Sequence, residues 1–281
     1  MLEILKPSEY PKLLRLLGDD YIGAHQIVHL LENVFTGKIP EVKIMVDKWP
    51  EFNVVILEQV SLQPHILRKS NYTFYTKTNK QKQLEDVLLS HDIIDPDKEG
   101  LLIGLQEIDF DVIYKAMDQR NIGYIKPANP TKCFTIKSQD LIVFPVSPGL
   151  KLKPIPHDAV DSMLSAWDYA DEVTPNYFYY LIDNYKTVAL YDVDDSLIGY
   201  MMQTHLGTVG MLRILPDKRG KGYSKIILSN LVKMVFEDGA DVVTSSIDPK
   251  NEISINLHLK TGFKDSLTQE GWLDFYPFKH E

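Results

Sequence analysis

The chain has 281 residues, 44% hydrophobic and 25% charged, the composition of a globular protein with room for one large or two modest domains. Its net charge of −9 argues against a nucleic-acid-binding surface, which needs clustered cations to release phosphate counterions. Cys133 is the one cysteine, which excludes an intramolecular disulfide and an ordinary Cys/His structural zinc site, and fits a reducing compartment.

In chain order, Tyr10 to Leu17 and Tyr21 to Phe35 carry apolar residues at helical spacing, with Leu13, Leu14 and Leu17, then Ile27, Leu30 and Leu31, on apolar faces. Lys43 to Val46 and Phe52 to Glu58 read as strands joined by the turn Asp47-Lys48-Trp49-Pro50. Tyr72 to Thr76 alternates as a strand, and a helix follows near Lys80 to Ser90. Ile108 to Arg120 reads as a helix, and Lys132 to Lys137 and Leu141 to Val146 as strands. Pro145 to Pro156 then holds four prolines and Gly149, which discourage both helix and central strand. A domain boundary is therefore expected near 150, dividing the chain into 1–150 and 151–281.

In the second part, Ala159 to Trp167 and Asn176 to Asp183 read as helices, and Thr187 to Tyr191 pairs with Leu197 to Thr204 as a hairpin. Val209 to Leu215 is the next strand. The helix Ser224 to Asp238 is expected to bury Ile227, Leu228, Leu231, Val232 and Val235, with Gly239 as its stop. Asp241 to Ile247 is a β-branched strand, Asn251 to Lys260 a short helix stopped by Gly262, and Trp272 to Phe278 a strand expected to close the second domain's sheet. The N-terminus contains Glu3 and lacks the apolar core of a signal peptide, and no run reaches the roughly 18 apolar residues of a membrane span. No membrane partner and a cytoplasmic location are expected.

The functional signal lies between the strand Val209–Leu215 and the helix after it. Gly220 and Gly222 let backbone approach a ligand without a Cβ in the way. The first amides of the helix and the positive end of its dipole then favour a phosphate there, with Lys218, Arg219 and Lys221 adding mobile positive charge. The spacing is neither that of the dinucleotide-binding glycine fingerprint nor that of a P-loop.

Arg219-Gly220-Lys221-Gly222-Tyr223-Ser224 resembles the Arg/Gln-x-x-Gly-x-Gly/Ala loop of the GNAT acyltransferase superfamily. Asn251 to Phe263 is similar to that superfamily's later Asn-x-x-Ala-x-x-x-Tyr-x-x-x-Gly-Phe helix, with Ser254 and His258 in place of alanine and tyrosine. Met45 to Asn53, with Trp49-Pro50 inside it, resembles the N-terminal half of glycine N-acyltransferase-like proteins. The resemblance implies a GNAT-type α/β fold: a mixed, mostly antiparallel central sheet flanked by helices, with a degenerate GNAT-like N-terminal half. That half has no glycine-rich cradle, so no second coenzyme A site is expected in it. The co-substrate implied is acetyl-CoA or a longer acyl-CoA, with no metal. The implied acceptor is a small-molecule amine or an amino acid such as glycine, and a mitochondrial location is compatible with the family.

Carried over residue by residue, the resemblance implies that the main chain of Leu212, Arg213 and Ile214 bonds the pantetheine arm. The amides of Arg219, Gly220, Lys221, Gly222, Tyr223 and Ser224 hold the pyrophosphate, and the Asn251 side chain reaches the arm. His258 occupies the place of the tyrosine that protonates the departing thiolate, a task within range of an imidazole. Glycine N-acyltransferases place a glutamate base where an ungapped alignment sets Thr208, which cannot act as that base. His205, three residues earlier, is the nearest substitute. Two further readings stand beside acylation of a small amine: a non-catalytic acyl-CoA binder, and acetylation of a protein or peptide amine.

Overall fold

In the computed structural model, which describes residues 2–39, 41–59, 70–126, 130–165, 167 and 174–278, the first helices form where the apolar spacing places them. After a short strand β1 (Glu3–Ile4) come α1 (Tyr10–Leu17) and α2 (Tyr21–Phe35), then β2 (Lys43–Val46), β3 (Val54–Gln59), β4 (Ser70–Thr76) and α3 (Gln81–Ser90). β5 (Gly100–Gln106), α4 (Phe110–Arg120) and β6 (Gly123–Lys126) follow. The next elements are β7 (Thr131–Lys137), β8 (Lys151–Lys153), α5 (Val160–Leu164), α6 (Thr174–Asn184), β9 (Thr187–Tyr191) and β10 (Leu197–Gln203). The chain ends with β11 (Val209–Ile214), α7 (Tyr223–Glu237), β12 (Val242–Ile247), α8 (Glu252–Thr261) and β13 (Lys264–Pro277). The helix expected to run on to Trp167 is α5, and Ala166 in that stretch lies outside the described residues.

The chain divides into a first unit, residues Met1–Thr131 with Thr268–Glu281, and a second unit, Lys132–Leu267. The boundary expected near 150 therefore falls inside the second unit. Between Pro148 and Pro154, the three proline-free residues of β8 pair antiparallel with β9. An edge strand of this kind tolerates flanking prolines. The residues from Thr268 onward complete the first unit's sheet instead of closing the second's.

In the first unit, β1, β2, β3 and β4 pair antiparallel in turn, β4 pairs parallel with β5, and β13 adds antiparallel to both β5 and β6. The parallel step follows from the α3 crossover between β4 and β5. One face packs Ile56, Phe74 and Leu102 against Leu84 and Leu88 of α3 and Ile113 of α4, all buried. β5 escapes a reading by alternation because two glycines interrupt it. Gly104 sits at φ +74, and a Cβ there would lie 2.9 Å from the Phe74 carbonyl oxygen.

In the second unit, β8, β9, β10 and β11 form an antiparallel sheet in the order β11-β10-β9-β8, and β12 pairs antiparallel with β7. The helix α7 buries all five residues its spacing points to, Ile227, Leu228, Leu231, Val232 and Val235. Each such burial is worth about 1.5–3 kcal/mol. Gly239, at φ +100, follows its end. The stretch expected as a strand at Leu141–Val146 forms no ladder. The Phe144 amide donates to the Ser229 hydroxyl (3.0 Å), its carbonyl accepts from Asn230 (3.0 Å), and the Ile142 amide donates to the Thr261 carbonyl (3.0 Å). Its backbone is thus satisfied by two helices, which Pro145 does not obstruct.

A test of the α8 stop follows. Gly262 holds φ +105, and a Cβ there would meet the Asp140 carbonyl oxygen at 2.0 Å. Gly262→Ala should cost about 3 kcal/mol or more in urea unfolding, because strain and overlap add. A loss below about 1 kcal/mol would show that the turn relaxes freely.

Candidate active site

The site begins where β11 and β12 separate. Both strands flank α7 and run parallel, yet among the described residues the one ladder contact between them is the isolated bridge Thr208–Thr244. Beyond it β11 pairs only with β10, and β12 only with β7. The half-buried main chain of Leu212, Arg213 and Ile214 lies on this open side of the sheet. A bulge lies at its start: Met211 and Leu212 together oppose Met201, and Met211 takes φ +58. A bulge leaves one residue outside the ladder and turns its backbone groups away from the partner strand. Nothing in the residue pattern of Val209 to Leu215 signals it.

The glycine loop closes the far end. Gly220 and Gly222 both sit at φ +78, and the space where a Gly220 side chain would stand is empty. Gly222 is the residue before α7 and supplies no capping side chain. Among the described residues no acceptor serves the amides of Gly222, Tyr223 and Ser224. Three orphan amides and the helix dipole therefore face one open place, an arrangement that binds anions.

The cations around the loop are not equally mobile. Lys218 donates to Asp192 at 3.0 Å and approaches the Ser196 hydroxyl at 3.4 Å, tying the loop to the β9–β10 turn. The pair raises the Lys218 pKa and lowers that of Asp192. Arg219 donates through Nε to the Ile214 carbonyl (3.2 Å), at the end of β11. Lys221 is exposed with no ion-pair partner among the described residues, and Lys225 Nζ lies 3.9 Å from the Cβ position of Gly222. The charge at the helix start that has no ion-pair partner among the described residues thus comes from Lys221 and from Lys225, whose Nζ lies 4.6 Å from the Phe144 ring centroid, and Lys225 is absent from the sequence motif.

Asn251 precedes α8, and its Oδ1 accepts from the Ser254 amide at 3.0 Å, capping that helix. Its side-chain NH2 group remains as a donor. His258 lies on the buried side of α8, 3% exposed, between Phe134 and Phe263 at ring-centroid distances of 6.3 and 4.9 Å. Its Nδ1–H donates to the Ser254 carbonyl (2.8 Å), while Nε2 has no partner. Burial pushes its pKa down from 6.5 to about 4. At neutral pH the ring is uncharged, with its one proton committed to the backbone. In the place of the motif's tyrosine, His258 is thus a neutral ring packed between two phenylalanines.

His205 and Thr208 sit in the turn between β10 and β11. The Thr204 amide donates to the Thr208 carbonyl (2.8 Å), and the two threonine hydroxyls share a hydrogen bond of 2.8 Å. The Thr208 side chain is thereby engaged within the turn. His205 Nδ1 lies 2.9 Å from the Tyr177 hydroxyl of α6, with the two rings edge to face. Burial raises the pKa of Tyr177, which stays a neutral phenol. No local pattern signals this partner, since Tyr177 and His205 are 28 residues apart.

A sheet that opens after one bridge, a helix start aimed at an anion and a capped helix behind it define a GNAT-type domain. Residues 155–263 match the model of the acetyltransferase (GNAT) family. Among solved structures, a Drosophila protein is similar at a TM-score of 0.82 and 15% identity, with 98% of each chain covered. A GCN5-related N-acetyltransferase from Sphaerobacter thermophilus reaches a TM-score of 0.56 at 12% identity, covering 100% of this chain and 97% of the other. A tandem GNAT protein from the clavulanic acid biosynthesis pathway reaches 0.54 at 12%, covering all of both chains. These likenesses are of fold, and the tandem neighbour fits an architecture of two GNAT-like halves. No curated protein sequence matches the chain. Among the described residues, no helix is long and apolar enough to cross a membrane.

His258 makes the folded protein sensitive to acid. Its pKa is lower folded than unfolded, so the unfolded chain binds the proton more readily. Its contribution is full above about pH 6.5 and is lost as pH falls toward 4. Between pH 7.5 and 5 this should cost about 2 kcal/mol. His258→Leu should remove that increment from the difference between urea unfolding at the two pH values. An unchanged difference would mean the ring charges freely in the folded state.

Proposed function

We propose that the protein is a glycine N-acyltransferase-like enzyme that moves an acyl group from acetyl-CoA or a longer acyl-CoA to a small-molecule amine or amino acid. The observation that supports this reading most is the uncapped start of α7 behind Gly222 at the end of an open-edged β11. In this reading the amides from Arg219 to Ser224 hold the pyrophosphate, with Lys221 and Lys225 beside it. The main chain of Leu212, Arg213 and Ile214 pairs with the amide-bearing pantetheine arm, and the Asn251 amide group donates to it. The bulge at Met211 leaves a residue outside the ladder, and in this reading a backbone N–H there donates to the thioester carbonyl, where negative charge develops during attack.

The amine arrives as an ammonium ion and must lose a proton before its lone pair attacks the carbonyl carbon. His205 takes that proton, with the Tyr177 hydroxyl fixing the orientation of its ring. The new C–N bond forms, the C–S bond breaks, and the second proton lost by nitrogen goes to the departing thiolate. His258 serves packing in this scheme.

Two measurements test the reading. Acyl-CoA at about a hundred times its Kd should stabilise the protein by about 2.7 kcal/mol, a rise of several degrees in melting temperature. Gly222→Asp should abolish the rise, since aspartate tolerates the left-handed backbone and its carboxylate repels phosphate. An unchanged response in Gly222→Asp would remove the pyrophosphate assignment. Thiol release from acyl-CoA with a panel of amines, glycine included, tests transfer itself. His205→Ala should lower kcat/KM about 100-fold at pH 7 and recover partly at pH 9, where the amine sheds its own proton. Binding without thiol release on any amine would leave a non-catalytic acyl-CoA binder.

A further inference from the structure

The first unit contains a cavity of about 440 Å³ that the acyl-transfer chemistry does not use. Its floor is aromatic and buried: Phe52 and Tyr75 meet edge to face with centroids 6.3 Å apart, and Trp49 stacks on Phe52. Leu16 and Pro50 line it and are exposed. Charges of both signs line the same space without neutralising one another. Asp20 is held in place by the Tyr75 hydroxyl, which donates to its Oδ2 at 3.0 Å, and by the Gly23 amide, which donates to its Oδ1 at 3.4 Å. Asp19 stands next to it at the cavity. Lys77 extends over the Phe52 ring, its Nζ 4.6 Å from the centroid. Among the described residues none of these three charges has an ion-pair partner, although they share one cavity.

A preorganised carboxylate and an ammonium group that do not pair with one another in one pocket can be answered together by a ligand that carries both opposite charges. An ammonium group alone would answer Asp20 and be repelled by Lys77, and a carboxylate alone would meet the reverse. We infer that this cavity binds a small zwitterion, a free amino acid with an apolar side chain. Its ammonium group sits on Asp20 and Asp19, its carboxylate on Lys77, and its side chain against Leu16 and Pro50. The cavity is large enough for such a ligand, within the usual range for small-molecule sites. This site is separate from the acyl-transfer site and stands whether or not the second unit acylates amino acids.

Isothermal titration of the full chain with L-leucine, 3-methylbutylamine and 4-methylpentanoate tests the inference, the last two lacking the carboxylate and the amine respectively. Leucine should bind, and each analogue should bind about tenfold more weakly or not at all. Lys77→Met and Asp20→Asn should each weaken leucine binding about tenfold. Asparagine caps helices as well as aspartate, so the second variant keeps α2 intact. Both variants should retain the wild-type thermal response to acetyl-CoA, which reads the second unit alone. No heat with leucine up to about 10 mM would overturn the inference. So would an amine that binds as well as leucine, or leucine binding that survives both variants and disappears in His205→Ala, which would place it in the acyl-transfer site.

Discussion

Once β11 leaves the Thr208–Thr244 bridge, its backbone carries amides and carbonyls that β12 no longer meets. A buried backbone group without a partner costs about 1–3 kcal/mol. The edge must therefore remain wetted or be completed by something with the hydrogen-bonding repeat of a peptide. This constraint organises the second unit. The apolar face of α7 holds the helix against the sheet, and the open edge leads to its start. A side-chain cap at Gly222 would satisfy the helix and remove the attraction for anions. Its absence leaves the helix incomplete by itself, which is the condition for a ligand to complete it.

Charge follows the same logic on a smaller scale. In a chain of net charge −9, an anion needs local help. Two of the three cations in the glycine loop are occupied: Lys218 anchors the loop to Asp192, and Arg219 holds the end of β11. They give the loop its shape. The first unit repeats the strand–loop–helix order at β4 and α3, with a different outcome. There Asn79 takes the left-handed position at φ +62 and Lys80 precedes the helix, so side chains stand where the second unit has bare backbone.

Legibility in the sequence tracked how local each constraint is. The spacing of Ile227 to Val235 gave α7 and its buried face, because a helix's periodicity and its glycine stop are written within a few turns. The glycine loop was equally plain, since positive φ at two neighbouring positions selects glycine. What stayed hidden depended on partners distant in the chain. The segment Leu141–Val146 has strand-like residues, but Ser229, Asn230 and Thr261 capture its backbone first. His258 has the composition of a proton donor, and only Phe134 and Phe263 around it reveal a neutral core residue. The Tyr177 contact of His205 required α6 to fold over the turn, and the bulge at Met211 shows only in the register of β10 against β11.

The return of the chain's end to the first unit has a consequence for how the protein is made. Residues Gly271 and Leu273 pair with β5, and Asp274 to Pro277 with β6, so the first unit's sheet lacks an internal strand until residue 277 is available. A ribosome releases the chain from the N-terminus, and domains ordinarily fold in that order. Here the earlier unit waits for the later one: β5 and β6 emerge with an unpaired edge, and only release of the β13 segment supplies the strand that joins them. The half that begins first is thus the half that finishes last.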